Sequence, residues 1–194
     1  YKRQSVPIIK EIIRAYRIPI LEVAGYEADD VIGTLATEAG RQGIITYMMT
    51  PDKDYGQLVS DKVFMYRPKH TGGFEVMGVD EVKAKFDIQS PAQVIDMLGL
   101  MGDSSDNIPG CPGVGEKTAQ KLIAEFGSIE NLLEHTDQLK GALKTKVETN
   151  REMITFSKFL ATIKIDVPIQ LDMDSLVREQ ADEDSPVSYT HLRA

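Results

Sequence analysis

The sequence predicts an α/β protein, a mostly parallel sheet flanked by helices and followed by a helical module. Helix, strand, helix, strand alternate between Ser5 and Met49, the order of a layered α/β domain. Ile44-Ile45-Thr46-Tyr47-Met48-Met49 is a continuous apolar run of strand length, which suits a strand buried on both faces of a parallel sheet. From Val79 onward the apolar residues recur at helical spacing.

Taken in order, Ser5 reads as the cap of an amphipathic helix carrying Ile8, Ile9, Ile12, Ile13 and Tyr16, with Pro7 in its first turn, where a missing N–H is harmless. Ile18 to Val23 is expected to be a short strand. Ala28, Ile32, Leu35, Ala36 and Ala39 mark a second helix, stopped by Gly40 and Gly43. After the strand at 44–49 come a polar turn at Thr50 to Asp54, a short helix through Leu58, a strand at Val63 to Tyr66 and a Gly72-Gly73 hairpin into Phe74 to Met77. Helices are expected at Val82–Phe86, Ala92–Met101, Thr118–Phe126, Ile129–Leu133 and Met153–Ile163. The division is therefore residues 1–78 for the sheet-based part, 79–170 for the helical module and 171–194 for an acidic linker and tail. The last stretch, Val187 to Ala194, has neither periodicity nor turn logic and reads as disordered, non-native sequence.

The proportions of the 194 residues, 42% hydrophobic and 27% charged, are those of a folded globular protein. One cysteine, Cys111, makes no internal disulfide, so a reducing cytoplasm fits. No window approaches the roughly 20 apolar residues of a membrane span, so no membrane partner is expected. The first residue is Tyr1 and not Met, which suggests a fragment or a processed product. The formal charge of −8, taken alone, argues against an anionic partner.

Three acidic clusters change that expectation. Glu27, Asp29 and Asp30 open the second helix; Asp52 and Asp54 follow the carboxyl end of the apolar strand, the edge where open α/β sheets place ligands; Asp103 and Asp106 are three apart in Gly102-Asp103-Ser104-Ser105-Asp106-Asn107. Singly, each has a bland explanation in helix-dipole compensation, turn chemistry or capping. Jointly they are seven carboxylates at element ends, with no histidine or cysteine nearby to suggest zinc. Hard oxygen donors in that number point to Mg²⁺ or Mn²⁺, as a pair, and so to phosphoryl chemistry. His70, His135 and His191 stand isolated, and Lys140, Lys144, Lys146 and Arg151 read as a solvated face.

Ile108-Pro109-Gly110-Cys111-Pro112-Gly113-Val114-Gly115-Glu116-Lys117-Thr118-Ala119 sets small residues just before a helix, where backbone N–H groups can approach a phosphate without reading bases. Lys117 and Lys121 stand one turn apart. The spacing is not that of a P-loop.

The runs GYEADDVIGTLA at 25–36, TPDKDYGQLVSD at 50–61 and GLMGDSSDNIPGCPGVGEKTAQKLI at 99–123 resemble the 5′ nuclease domain family of bacterial DNA polymerase I, flap endonucleases and phage 5′ exonucleases, in order from about Val6 to Val167. The resemblance implies a PIN-like or resolvase-like sheet with a helix-hairpin-helix, a nuclease acting on duplex DNA with a 5′ flap or 5′ end, and release of 5′-phosphorylated products during primer removal and repair. It implies a two-ion Mg²⁺ or Mn²⁺ site on Glu27, Asp29, Asp30, Asp52, Asp54, Asp103 and Asp106, all but Glu27 also catalytic. It further implies duplex gripping by Gly110, Gly113, Val114, Gly115, Lys117, Thr118 and Lys121, with K⁺ on the hairpin carbonyls. The family's first strand and helical arch precede the segment corresponding to Val6, so the chain is expected to be N-terminally truncated from a monomeric cytoplasmic parent with a polymerase domain. The alternative for such a chain is a structure-specific duplex-binding module with impaired catalysis.

Overall fold

The computed structural model describes residues 2–69 and 71–180; the tail expected at 181–194 lies outside them, as do His70 and His191. The elements are α1 (Lys2–Ala15), α2 (Ala28–Arg41), β1 (Thr46–Met49), β2 (Val63–Pro68), β3 (Phe74–Met77), α3 (Val79–Phe86), α4 (Val94–Met101), α5 (Glu116–Phe126), α6 (Ile129–Glu134), α7 (Gly141–Thr149) and α8 (Arg151–Ala161). The strands form one sheet in the order β1-β2-β3, with β1 and β2 parallel and β2 and β3 antiparallel. Thr46 pairs with Val63 and Met65 with Met77.

Several local expectations are corrected. α1 begins at Lys2, so Ser5 does not cap it and Pro7 falls inside the helix, where it forgoes a main-chain hydrogen bond. Lys2, Arg3 and Gln4 are good helix formers, and they carry the helix past the serine. Ile18 to Val23 belongs to no helix or strand, because no described strand pairs with it to complete a ladder. Gly40 lies within α2; the left-handed turn that ends the helix is made by Gly43.

The run at 44–49 is covered on one face only. Met48 is buried, whereas Tyr47 and Met49 are 58% and 73% exposed. α2 packs on the inner face. On the outer face the aromatic rings cover one another: Tyr47 stacks on Phe64 at 5.6 Å and Tyr66 on Phe74 at 4.6 Å.

The core runs without a break from the sheet into the helical part, through Met65, Val82, Met97, Leu98, Ile123, Leu132, Val147 and Ile154. α4 and α8 pack along their lengths. Beneath them, Asp96 accepts from Lys158 Nζ at 2.6 Å and from Ile129 N at 2.9 Å, while Glu130 takes the same ammonium at 2.8 Å. α7 buries Val147 completely and packs on α8, while Lys140, Lys146 and Arg151 are exposed and Lys144 half-exposed, as a solvated face requires.

The loop between α4 and α5 is held by its glycines. Gly102 and Gly110 both have positive φ, and a Cβ on Gly110 would come within 2.3 Å of Gly102 N. Gly110 N donates to the buried Ser157 Oγ on α8 at 2.9 Å, and that hydroxyl donates to Met153 O at 2.7 Å. The segment 171–180, expected to be a free acidic linker, instead folds back: Leu171, Met173 and Leu176 line a groove with Ile44 to Met49, and Glu179 pairs with Arg17 at 2.9 Å.

Candidate functional site

A cavity of about 280 Å³ opens where α2, the turn after β1, the loop after α4 and the end of α8 meet. Six of the seven predicted carboxylates line it: Glu27, Asp29, Asp30, Asp52, Asp54 and Asp106, together with Ile108, Leu160, Ala161, Thr162 and Ile163. Acidic residues separated by up to 79 positions in the chain thus share one wall system.

Local chemistry fixes most of them. Asp52 caps the short 3₁₀ turn Lys53–Leu58, accepting Asp54 N at 3.0 Å, and its own N–H donates to Thr50 Oγ1 at 3.1 Å. Asp29 accepts from the Tyr55 hydroxyl at 2.7 Å, and burial followed by that carboxylate pushes the phenol well above its ordinary range. Asp30 accepts Lys164 N at 2.9 Å and Glu27 N at 3.3 Å.

Asp54 differs. Its Oδ1 is buried and has no hydrogen-bond partner among the described residues. Burial, then the charge of Asp52, with Asp106 and Asp103 adding to it against the opposing Lys53, pushes its carboxyl up to about 6. An anionic oxygen in that position is uncompensated, and a divalent cation is the group whose charge and oxygen preference would complete it. The donor set fits such an ion, being all hard carboxylate.

Asp103 is not among the lining residues. It is buried at the edge of the loop, where the Lys53 ammonium and the Ser105 hydroxyl donate to it and Ser105 N does so at 2.8 Å. Burial works against its charge, but these bonds win and hold the carboxyl down to about 2. Lys53 shows the reciprocal effect: burial lowers it, while Asp103, Asp54 and Asp52 more than offset that and raise its pKa. Among the described residues no three acidic, histidine or cysteine side chains are gathered tightly enough to form a ready-made cage. The carboxylates share a cavity without closing into a cage.

The hairpin follows Asp106 in the chain. Gly115 precedes α5, and Thr118 and Ala119 donate their N–H groups to its carbonyl at 3.0 Å. Lys117, Lys121, Gly113 and Gly115 are exposed, Gly110 and Val114 buried, and Thr118 half-buried. The Lys146 ammonium donates to Gly113 O at 3.3 Å, a contact the sequence reading missed because α7 carries too few apolar residues to show a period. Lys53, Gln57 and Ser157 were missed as well, since their partners lie 47 to 106 residues away and leave no local signal.

With this geometry in place, comparison with known proteins is decisive. Residues 3–87 match the 5′-3′ exonuclease N-terminal resolvase-like domain, and residues 89–184 match the 5′-3′ exonuclease C-terminal SAM fold. The chain belongs to the 5′-3′ exonuclease family. The two family models meet one helix after Val79, which groups α3 with the resolvase-like part. The chain is 46% identical over 175 residues to DNA polymerase I of Bacillus subtilis, a match covering 89% of the chain and 20% of that protein. It is 42% identical over 187 residues to DNA polymerase I of Bacillus caldotenax, covering 95% and 21%. The chain therefore spans about a fifth of the length of these curated relatives. Among solved structures, a bacteriophage T5 flap endonuclease in a complex with DNA and metal ions superposes with a TM-score of 0.71 at 21% identity, covering 81% of this chain and 57% of the phage chain. That likeness extends the family's fold to this protein. No described helix is long and apolar enough to cross a membrane.

Proposed function

We propose that this chain carries a metal-dependent 5′ nuclease activity, hydrolysing phosphodiesters of duplex DNA near a 5′ flap or 5′ end. The observation that carries the reading is the buried Asp54 oxygen, without a partner among the described residues, in a cavity walled by five further carboxylates. Glu27, Asp29, Asp30, Asp52, Asp54 and Asp106 would hold Mg²⁺ or Mn²⁺, as a pair, with Asp103 joining them once released by Lys53. Such ions supply the charge that activates a water and stabilises the leaving oxygen of a phosphodiester.

The chain's own residues do the rest. Lys117 and Lys121 would engage backbone phosphates from the first turns of α5, beside the N–H groups of Gly113 and Gly115 and the Thr118 hydroxyl, with Gly110 and Val114 shaping the turn. K⁺ on the hairpin carbonyls belongs to the same reading; at Gly113 it must displace the Lys146 ammonium. Ile108 and Leu160 give the acidic cavity an apolar flank that limits water around the bound strand.

The polymerase I relatives support a polymerase domain in the same polypeptide; a monomer serving primer removal and repair in a bacterial cytoplasm belongs to the same reading. The test is cleavage of a 5′-flap duplex with Mg²⁺ by this chain and by Asp106→Asn. Cleavage by the parent and a loss of at least about tenfold in the variant are expected, with duplex binding in EDTA retained. Undiminished cleavage by the variant refutes the assignment, and binding without cleavage by the parent points to a duplex-binding module. Soaking crystals in Mn²⁺ and finding anomalous density among Asp52, Asp54 and Asp106 would support it independently.

A further inference from the structure

Gln57 lies in the 3₁₀ turn that carries Asp54, and its side chain crosses to the end of α8. Its Nε2 donates to Asp54 O and to Ala161 O, both at 2.9 Å, and its Oε1 accepts from Ile163 N at 2.9 Å. Asp54, Ala161 and Ile163 all line the carboxylate cavity. One planar amide therefore joins two facing walls through main-chain groups whose positions no side-chain rotamer can change.

We infer that Gln57 is a positioning residue that sets the span of the cavity and hence its grip on divalent cations; this rests on the function proposed above. Asp52, Asp54 and Asp106 repel one another across the cavity, so an untied wall would relax outward until the acids were too far apart to share an ion. Ligand groups must be held within about 0.5 Å of productive geometry, and groups behind the ligands usually provide that restraint. The other walls are tied in the same manner. Lys164 N binds Asp30 Oδ1, and Thr34 Oγ1 accepts Val167 N at 3.1 Å, which fastens the segment after α8 to α2. Gln57 supplies the matching tie between that segment and the Asp52–Asp54 turn.

The experiment measures Mn²⁺ binding to this chain by titration calorimetry, beside thermal unfolding and duplex binding in EDTA, for Gln57→Leu and Gln57→Asn. The leucine removes all three bonds; the asparagine keeps the amide but is one methylene too short to reach both walls, and it protects the test should the leucine variant not fold. Gln93→Leu is the control. Gln93 makes a comparable amide staple and does not line the cavity, accepting Gln89 N at 2.7 Å and Ser90 N at 3.2 Å and donating to Gly127 O at 2.8 Å.

Both Gln57 variants are expected to lose Mn²⁺ affinity by about tenfold or more with duplex binding unchanged, while Gln93→Leu melts earlier and keeps the parental Mn²⁺ affinity. Parental Mn²⁺ affinity in a folded Gln57 variant, or an equal loss in Gln93→Leu, overturns the inference and leaves the nuclease reading standing. Absence of Mn²⁺ binding by the parent chain overturns both.

Discussion

Two acids in this molecule, Asp96 buried and Asp54 half-buried, are treated in opposite ways. Asp96, 4% exposed on α4 against α8, is answered from within, its Oδ1 accepting from the Lys158 ammonium and from Ile129 N, although burial still raises its pKa. Asp54, at the end of the sheet, has a buried oxygen that nothing described answers, and three other carboxylates press on it. The helical part closes its own charge. The cavity leaves charge open, and that open charge identifies where an external cation belongs more sharply than the number of acids does. The seven predicted carboxylates account for all but one unit of the formal net charge of −8, so the acidity that argued against a nucleic-acid partner is concentrated largely in one place.

The contrast is most severely broken at its closed end. Asp96→Ala strands Lys158 against Glu130 alone and leaves Ile129 N without its acceptor, so a loss of about 3–5 kcal/mol in urea-induced unfolding is expected. A loss below about 1 kcal/mol would show that the pair is not closing charge as described.

At the open end the sign reverses. Because the folded pKa of Asp54, about 6, lies above its unfolded value, keeping this group charged costs stability. That cost is fully present above pH 6, and it is relieved as pH falls toward 4. In EDTA at pH 7.5, Asp54→Asn is therefore expected to stabilise the chain by about 1 kcal/mol, the figure being reduced for the solvent that reaches the cavity, and to flatten the pH dependence of unfolding between 4 and 6. Saturating Mn²⁺ should stabilise the parent and not the variant.

The smallest effect belongs to the hairpin, where charge is exposed. Lys117→Ala should weaken duplex binding about equally for all sequences and lower the slope of log affinity against log salt by about 1. A sequence-dependent loss in a panel of duplexes would mean that the hairpin reads bases.

Much of this is legible in the amino-acid sequence. The acids stand at element ends because α2, the turn after β1 and the loop after α4 have strong local signals, namely helical periodicity, an apolar run and glycines. That six of them share one cavity follows from the topology those signals imply. What stayed hidden is what depends on distant partners. Ile18 to Val23 has strand composition but no neighbour; α7 has one fully buried residue and hence no readable stripe; Asp103 looked like an equal member of the set because its pairing with Lys53 spans 50 residues. The outer face of β1 was misjudged for a related reason, since an apolar run does not say how many of its faces are covered.

α8 holds the hairpin at Ser157, through Gly110 N, and reaches the cavity at Ala161. Four residues of helix separate those points, about 6 Å along a rigid axis. On the proposed function, grip and cut would be mounted on a single ruler. An enzyme built on such a gauge would select its bond by distance from the place where it holds the duplex, and would be sensitive to any change in the length or straightness of that one helix.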